Sequence, residues 1–181
     1  MIVPDRTGRS QRQDLVGSPR DPSTSLEMAL SLVMAQNRTR TDVSLDEVRG
    51  IYDELAARPA ERQCLRRTEC CQFKLTGLTP YLTKGEALVA ARAWRATGRK
   101  KLPNNVNGAC PMLDPQSGKC LIYAHRPFGC RTHFCAAAGG PLARRDVLDL
   151  IRRLETLDAQ LGGNGPRKLP GAIAAALREI A

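Results

Sequence analysis

Cys110-Pro-Met-Leu-Asp-Pro-Gln-Ser-Gly-Lys-Cys120-Leu-Ile-Tyr-Ala-His-Arg-Pro-Phe-Gly-Cys130-Arg-Thr-His-Phe-Cys135 is the stretch on which the reading of this chain turns. Four of its twenty-six residues are cysteines and two are histidines, His125 and His133. The other three cysteines, Cys64, Cys70 and Cys71, form one short run upstream. Thiolate and imidazole are the side chains that hold zinc and iron–sulfur centres. Turn formers are interleaved with them: Pro111, Pro115, Ser117-Gly118, Pro127 and Gly129. Such residues let backbone curl tightly, so that side chains from loops converge on one point. A metal site built from loops is therefore expected, with Cys64, Cys70, Cys71, Cys110, Cys120, Cys130 and Cys135 as its candidate ligands.

On either side of the cysteines the pattern is helical. Residues 1–24 are rich in Arg, Asp, Ser, Gln, Pro and Gly without an apolar period, and read as a disordered tail. Ser25 to Gln36 suits a short helix, and Asn37 to Thr41 reads as a polar connector. Ser44 followed by Glu47 has the spacing of a capping box. Leu45, Val48, Ile51, Tyr52 and Leu55 then recur at helical spacing, up to a stop before Pro59. Gln72 to Leu75 reads as a short strand. A second capping box, Thr83 with Glu86, opens a helix through Trp94 that closes near Gly98. Pro141 starts a long helix with an apolar stripe from Leu142 to Leu161, ended by Gly162-Gly163, and Pro170 to Ile180 forms the last helix. The expected fold class is mainly α: one small, irregular α-rich domain over 25–181, with the cysteine region at 60–135.

Composition narrows the function. The hydrophobic fraction is 42% and the aromatic fraction 4%, so a core of Ala and Leu would gain from a metal crosslink. No apolar run is long enough to span a membrane, and the first residues lack the apolar core of a secretory signal. A cytoplasmic protein with reduced thiols is expected, in which dense cysteines point to metal before disulfides. The net charge of +10 is uneven: residues 61–145 hold fifteen Lys and Arg against four acids. Cations beside a thiolate site favour the thiolate form and offset its charge. No aromatic residues are interleaved with them as a base-stacking platform requires, so nucleic acid is disfavoured as a partner.

The cysteine spacings, ten residues from Cys110 to Cys120 and ten from Cys120 to Cys130, do not match the short knuckles of zinc fingers. Cys70 and Cys71 are adjacent. Neighbouring side chains diverge in extended backbone, so this pair is expected to serve two centres, or one thiol to stand behind the other. The order Cys64, Cys70-Cys71, Leu82-Thr-Lys-Gly-Glu86, Cys110-Pro-Met-Leu, Gly118-Lys-Cys120-Leu-Ile-Tyr123, Arg126-Pro127 and Cys130-Arg131 resembles the CxxCxxCC family. These are YkgJ-like cysteine-cluster proteins described as zinc- or iron-chelating domains. The resemblance implies a small, largely helical domain that binds zinc or iron, with an iron–sulfur cluster as a further form. One position departs from the pattern. The second cysteine of Cys-x-x-Cys-x-x-Cys-Cys falls on Arg67; Cys135, or after it His133, is the expected substitute, unless Arg67 itself pairs electrostatically with the remaining thiolates.

The functional expectation is thus a metal-binding cysteine-cluster protein whose partner is the metal ion. Two alternatives from other classes stand beside it. One is a metal- or Fe–S-dependent enzyme, with methyl transfer as an analogy from related cysteine clusters. The other is an adaptor with a basic face for an acidic partner. Glycine-rich nucleotide loops, nucleophile elbows and His-Glu metalloprotease patterns are absent from the sequence.

Overall fold

The computed structural model describes residues 22–59, 62–103 and 108–181. The expected tail thus lies outside the described residues, apart from its last three. The fold is mainly α, with six α-helices and a single two-stranded sheet among the described residues. Two compact units divide the chain, one ending at Asn37 and the other running from Arg38 to Ala181. The described part of the first unit is the beginning of α1 (Pro22–Ala57), where residues 27–37 are exposed.

The polar connector expected at Asn37 to Thr41 is helical, because α1 runs without a break from Pro22 to Ala57. Residues 37–41 contain neither Pro nor Gly, the two residues that stop a helix at a cost of about 1–3 kcal/mol. Ser44 accordingly caps nothing. Its hydroxyl donates to the Arg40 carbonyl one turn back at 3.1 Å, the usual bond of a mid-helix serine.

In the second unit, Leu45, Val48, Ile51, Tyr52 and Leu55 of α1 are buried, as their spacing predicts. The expected strand at Gln72 to Leu75 is instead a helical turn, α2 (Phe73–Thr76), closed by Gly77 in the left-handed region. β1 (Tyr81–Leu82) leads into α3 (Lys84–Ala96), the most deeply buried helix of the unit. The Thr83–Glu86 capping box is formed in both directions. After the cysteine loops, with their short helix α4 (Phe128–Thr132), comes α5 (Leu148–Gln160). It begins later than Pro141 predicts, since Arg144–Val147 forms a 3-10 turn first. β2 (Arg167–Lys168) pairs antiparallel with β1, matching Tyr81 to Lys168 and Leu82 to Arg167. α6 (Leu169–Glu179) follows and packs chiefly on α3.

The core of this unit joins Leu88, Ala91 and Trp94 of α3 to Leu150, Leu154 and Leu157 of α5 and to Leu169, Ile173 and Leu177 of α6. Cys110, Met112, Ile122 and Phe128 of the cysteine loops belong to the same core. The loops are therefore seated on packed side chains, each fully buried Leu, Ile or Phe contributing about 1.5–3 kcal/mol. No helix of the described residues is long and apolar enough to cross a membrane.

Candidate metal centre

Three chain segments carry the cysteines, and backbone hydrogen bonds tie them together. The first runs from Cys64 to Cys71. Within it Arg66 and Thr68 have φ of +54° and +60°, a region that L side chains rarely occupy. These two reversals curl the chain around Arg67 into a 3-10 turn, Glu69–Cys71. The second segment meets the first directly, as Cys110 N donates to the Cys71 carbonyl at 2.6 Å and Lys74 N to that of Gly108 at 3.1 Å.

From Cys110 the chain forms a small hairpin. Asp114 N donates to the Lys119 carbonyl at 2.8 Å and Leu121 N to that of Met112 at 2.9 Å. At the hairpin tip, Gly118 has φ +65°, as the tight turn requires. The Asp114 carboxylate accepts from the Ser117 hydroxyl at 2.5 Å and from Ser117 N at 3.2 Å. The first ten-residue gap is therefore one hairpin, which pairs Cys120 with Leu113. The second gap contains the 3-10 turn Tyr123–His125 and the Arg126-Pro127 corner, which deliver Cys130 on α4.

Arg131 stabilises that corner from within, donating from Nε to the Arg126 carbonyl at 2.8 Å and from a terminal nitrogen to that of Ala124 at 2.5 Å. Its guanidinium also lies 4.4 Å from the centre of the Tyr52 ring. Glu86 reaches the same corner from α3. One carboxylate oxygen accepts from Thr83 N and Thr83 Oγ1, each at 2.9 Å, and the other from Phe128 N at 2.8 Å. Burial raises the Glu86 carboxyl above its usual range, while these donors pull it back. The Tyr52 hydroxyl faces Glu86 without completing a hydrogen bond, and its burial raises its own pKa well above the ordinary value.

These segments enclose a cavity of about 320 Å3, whose wall includes Cys64, Cys70, Cys71, Cys110, Cys120 and Cys130. All seven cysteines of the chain are free thiols. Cys70 and Cys71 do not diverge; their sulfurs lie 4.0 Å apart, because the 3-10 turn replaces the extended backbone in which neighbours point apart. Cys135 is not part of this wall. It precedes the 3-10 turn Ala136–Ala138, and its carbonyl accepts from Ala138 N at 2.9 Å and Gly140 N at 3.0 Å. His133 does line the cavity, whereas exposed His125 does not. Arg67 is exposed, and its neighbour Arg66 lines the wall instead.

The thiols lie in two electrostatic environments. Partial burial pulls Cys64 upward, but the Arg66 backbone N–H, the Tyr123 hydroxyl and Arg126 outweigh it, and the thiol titrates below its ordinary value. Cys70, Cys71, Cys120 and Cys130 sit higher. The Cys71 thiol, followed by burial, raises Cys70, and contact with Cys110 pushes Cys71 to about 12. Burial raises Cys120 and Cys130, with neighbouring thiols adding to both. Tyr123 lies between two guanidiniums, Arg66 at 4.6 Å and Arg126 at 4.2 Å from its ring centre. Arg126 Nε is buried without a hydrogen-bond partner.

Six thiols and one imidazole, with no carboxylate in the described wall, form a soft donor set that fits zinc or iron and not calcium or magnesium. The Cys70–Cys71 separation is close to the edge of about 3.8 Å that four sulfurs at about 2.3 Å from one ion would share. Among the described residues, no three Cys, His, Asp or Glu side chains are grouped to hold a single ion.

Compared with known families, residues 62–150 match CxxCxxCC, described as "Putative zinc- or iron-chelating domain". No curated protein matches the chain. No solved structure matches it either.

Proposed function

With residues 62–150 a CxxCxxCC domain, we propose that the protein binds zinc or iron through thiols of Cys64, Cys70, Cys71, Cys110, Cys120 and Cys130. One observation carries this reading: six cysteines from separate chain segments line one cavity. Cys135 is left in reserve and His133 is the nearer supplementary donor, since only His133 borders the cavity.

A bound ion would supply the positive charge that lets these thiols exist as thiolates, and its binding would release their protons. The chain provides the rest. Arg126 and Arg66, stacked on Tyr123, hold positive charge at the wall and favour an anionic thiolate cluster. Arg131 and Glu86 fix the Arg126–Cys130 corner by hydrogen bonds to backbone, so that the Cys130 side chain is presented without loop rearrangement. Six thiols exceed the four of one tetrahedral ion. That surplus favours a centre larger than a single ion, an iron–sulfur cluster among them.

Metal content and absorption spectrum of the anaerobically purified chain test the proposal. Metal retained through gel filtration is expected. Zinc would leave the protein colourless, and an iron–sulfur cluster would give a broad visible band with acid-labile sulfide. Cys120→Ala and Cys130→Ala should each lose most of the metal, and Cys135→Ala should keep it. Full occupancy in both Cys120→Ala and Cys130→Ala would remove the site from this cavity.

A further inference from the structure

A second concavity, of about 1060 Å3, lies next to the thiol cavity and shares Phe73 and Thr79 with it. Its cations come from three elements: Lys74 of α2, Arg95 with Lys100 and Lys101 at the end of α3, and Arg178 of α6. No acidic side chain belongs to its lining among the described residues, and none of the five cations forms an ion pair there. The Nε of Arg95 is buried without a hydrogen-bond partner. Five cationic side chains thus line one groove that has no acidic side chain among the described residues.

We propose that this groove docks an acidic peptide segment of a partner protein. Charge complementarity selects an anion, and three further features select a peptide. The floor is apolar, formed by Phe73, Leu102, Pro111 and Leu177, so the occupant carries apolar groups between its acids. The volume of about 1060 Å3 stands at the top of the range of about 300–1,000 Å3 typical of small-molecule pockets. Phe73 is the one aromatic residue in the described lining, whereas single-stranded nucleic acid is held by successive stacking faces. Through the Phe73–Thr79 wall, a segment bound here ends beside the thiols. The docking itself stands on the groove's charge and shape, whether or not the neighbouring cavity holds metal.

Fluorescence anisotropy of the full chain with a labelled peptide of alternating Glu and Leu is the test, run at about 150 mM salt, where the Debye length is about 8 Å. Lys100→Glu combined with Lys101→Glu alters exposed side chains only and should weaken binding about tenfold, given exposed pairs of about 0.2–1 kcal/mol each. A charge-matched control, Arg144→Glu with Arg152→Glu, reverses two exposed cations outside the groove and should stay within about twofold of the parent. Equal losses in the two variants would reduce the effect to net charge and overturn the proposal. So would absence of binding at that salt, or tighter binding of single-stranded DNA or of phosphatidylserine vesicles than of the peptide.

Discussion

Replacing Glu86 with Ala should release the corner that presents Cys130. The carboxylate is buried and accepts three hydrogen bonds, from Thr83 N, Thr83 Oγ1 and Phe128 N. Without it, two backbone N–H groups lose their acceptor in a dry site, at about 1–3 kcal/mol each. The cap itself stays, since Thr83 Oγ1 accepts from the backbone N of residue 86. Relief of the burial that raises the carboxyl's pKa offsets part of the cost. A net loss near 3 kcal/mol follows, which lowers Tm by about 6–12 °C in a protein of this size. Glu86→Gln should also destabilise, because its NH2 must face a donor that the second oxygen now accepts from.

Stability alone would not separate a corner-specific role from a general one, so the assay couples thermal unfolding with alkylation of Cys130 in metal-free protein, read by peptide mass spectrometry. Ile173→Ala, on α6 and fully buried, is the comparison. It costs about 2–5 kcal/mol while leaving every hydrogen bond of Glu86 in place. Cys130 should label faster in Glu86→Ala than in Ile173→Ala at matched stability. Equal labelling would refute the reasoning, since Glu86 would then act on Cys130 only through global unfolding.

Two further outcomes follow from the frame around the site. Gly163→Ala would place a methyl group on the buried Asp158 carboxylate, which holds Lys84 N at 2.6 Å and Gly165 N at 2.9 Å; an overpacking loss of about 1–3 kcal/mol should appear in urea unfolding, and an unchanged midpoint would contradict the contact. Arg58 joins α1 to α5 through Glu54 and Asp149. Hydrogen bonds, chiefly from Arg153 to Glu54 and from Arg58 to Asp149, hold both carboxyls below their ordinary values. Depressed carboxyls stabilise above their unfolded pKa and lose that contribution as pH falls through the folded one. The stability gap between the parent and Arg58→Met should therefore be full at neutral pH and close below about pH 4; a gap independent of pH would assign Arg58 a packing role alone.

Helices whose signals are local were legible in the sequence. Thr83 and Glu86 announce the start of α3 within four residues, and the apolar repeat of α5 and α6 gives their buried faces directly. The errors arose where the outcome depends on what is missing locally. Nothing between Asn37 and Thr41 stops a helix, so a polar stretch read as a connector continues α1. Gln72 to Leu75 forms a helical turn where a strand was expected, and Lys74 N donates there to the Gly108 carbonyl, a partner beyond the reach of local propensity.

The candidate site divides in the same way. Cysteine identity and the turn residues between the cysteines are sequence properties, and they point to one region. Which thiols face one another is set by long-range pairing. The Cys71–Cys110 backbone bond and the Met112–Leu121 hairpin bring three segments to one cavity, and neither can be read from spacing. The backbone reversals at Arg66 and Thr68 are equally silent, because neither residue type advertises positive φ as glycine does. They direct Arg66 to the cavity wall and leave Arg67 exposed, although Arg67 is the residue that stands where the family pattern has cysteine. Cys135 is closer in sequence to the main cluster than Cys64 is, yet it is Cys64 that lines the cavity, with Arg126 and Tyr123 drawing its thiol toward the charged form.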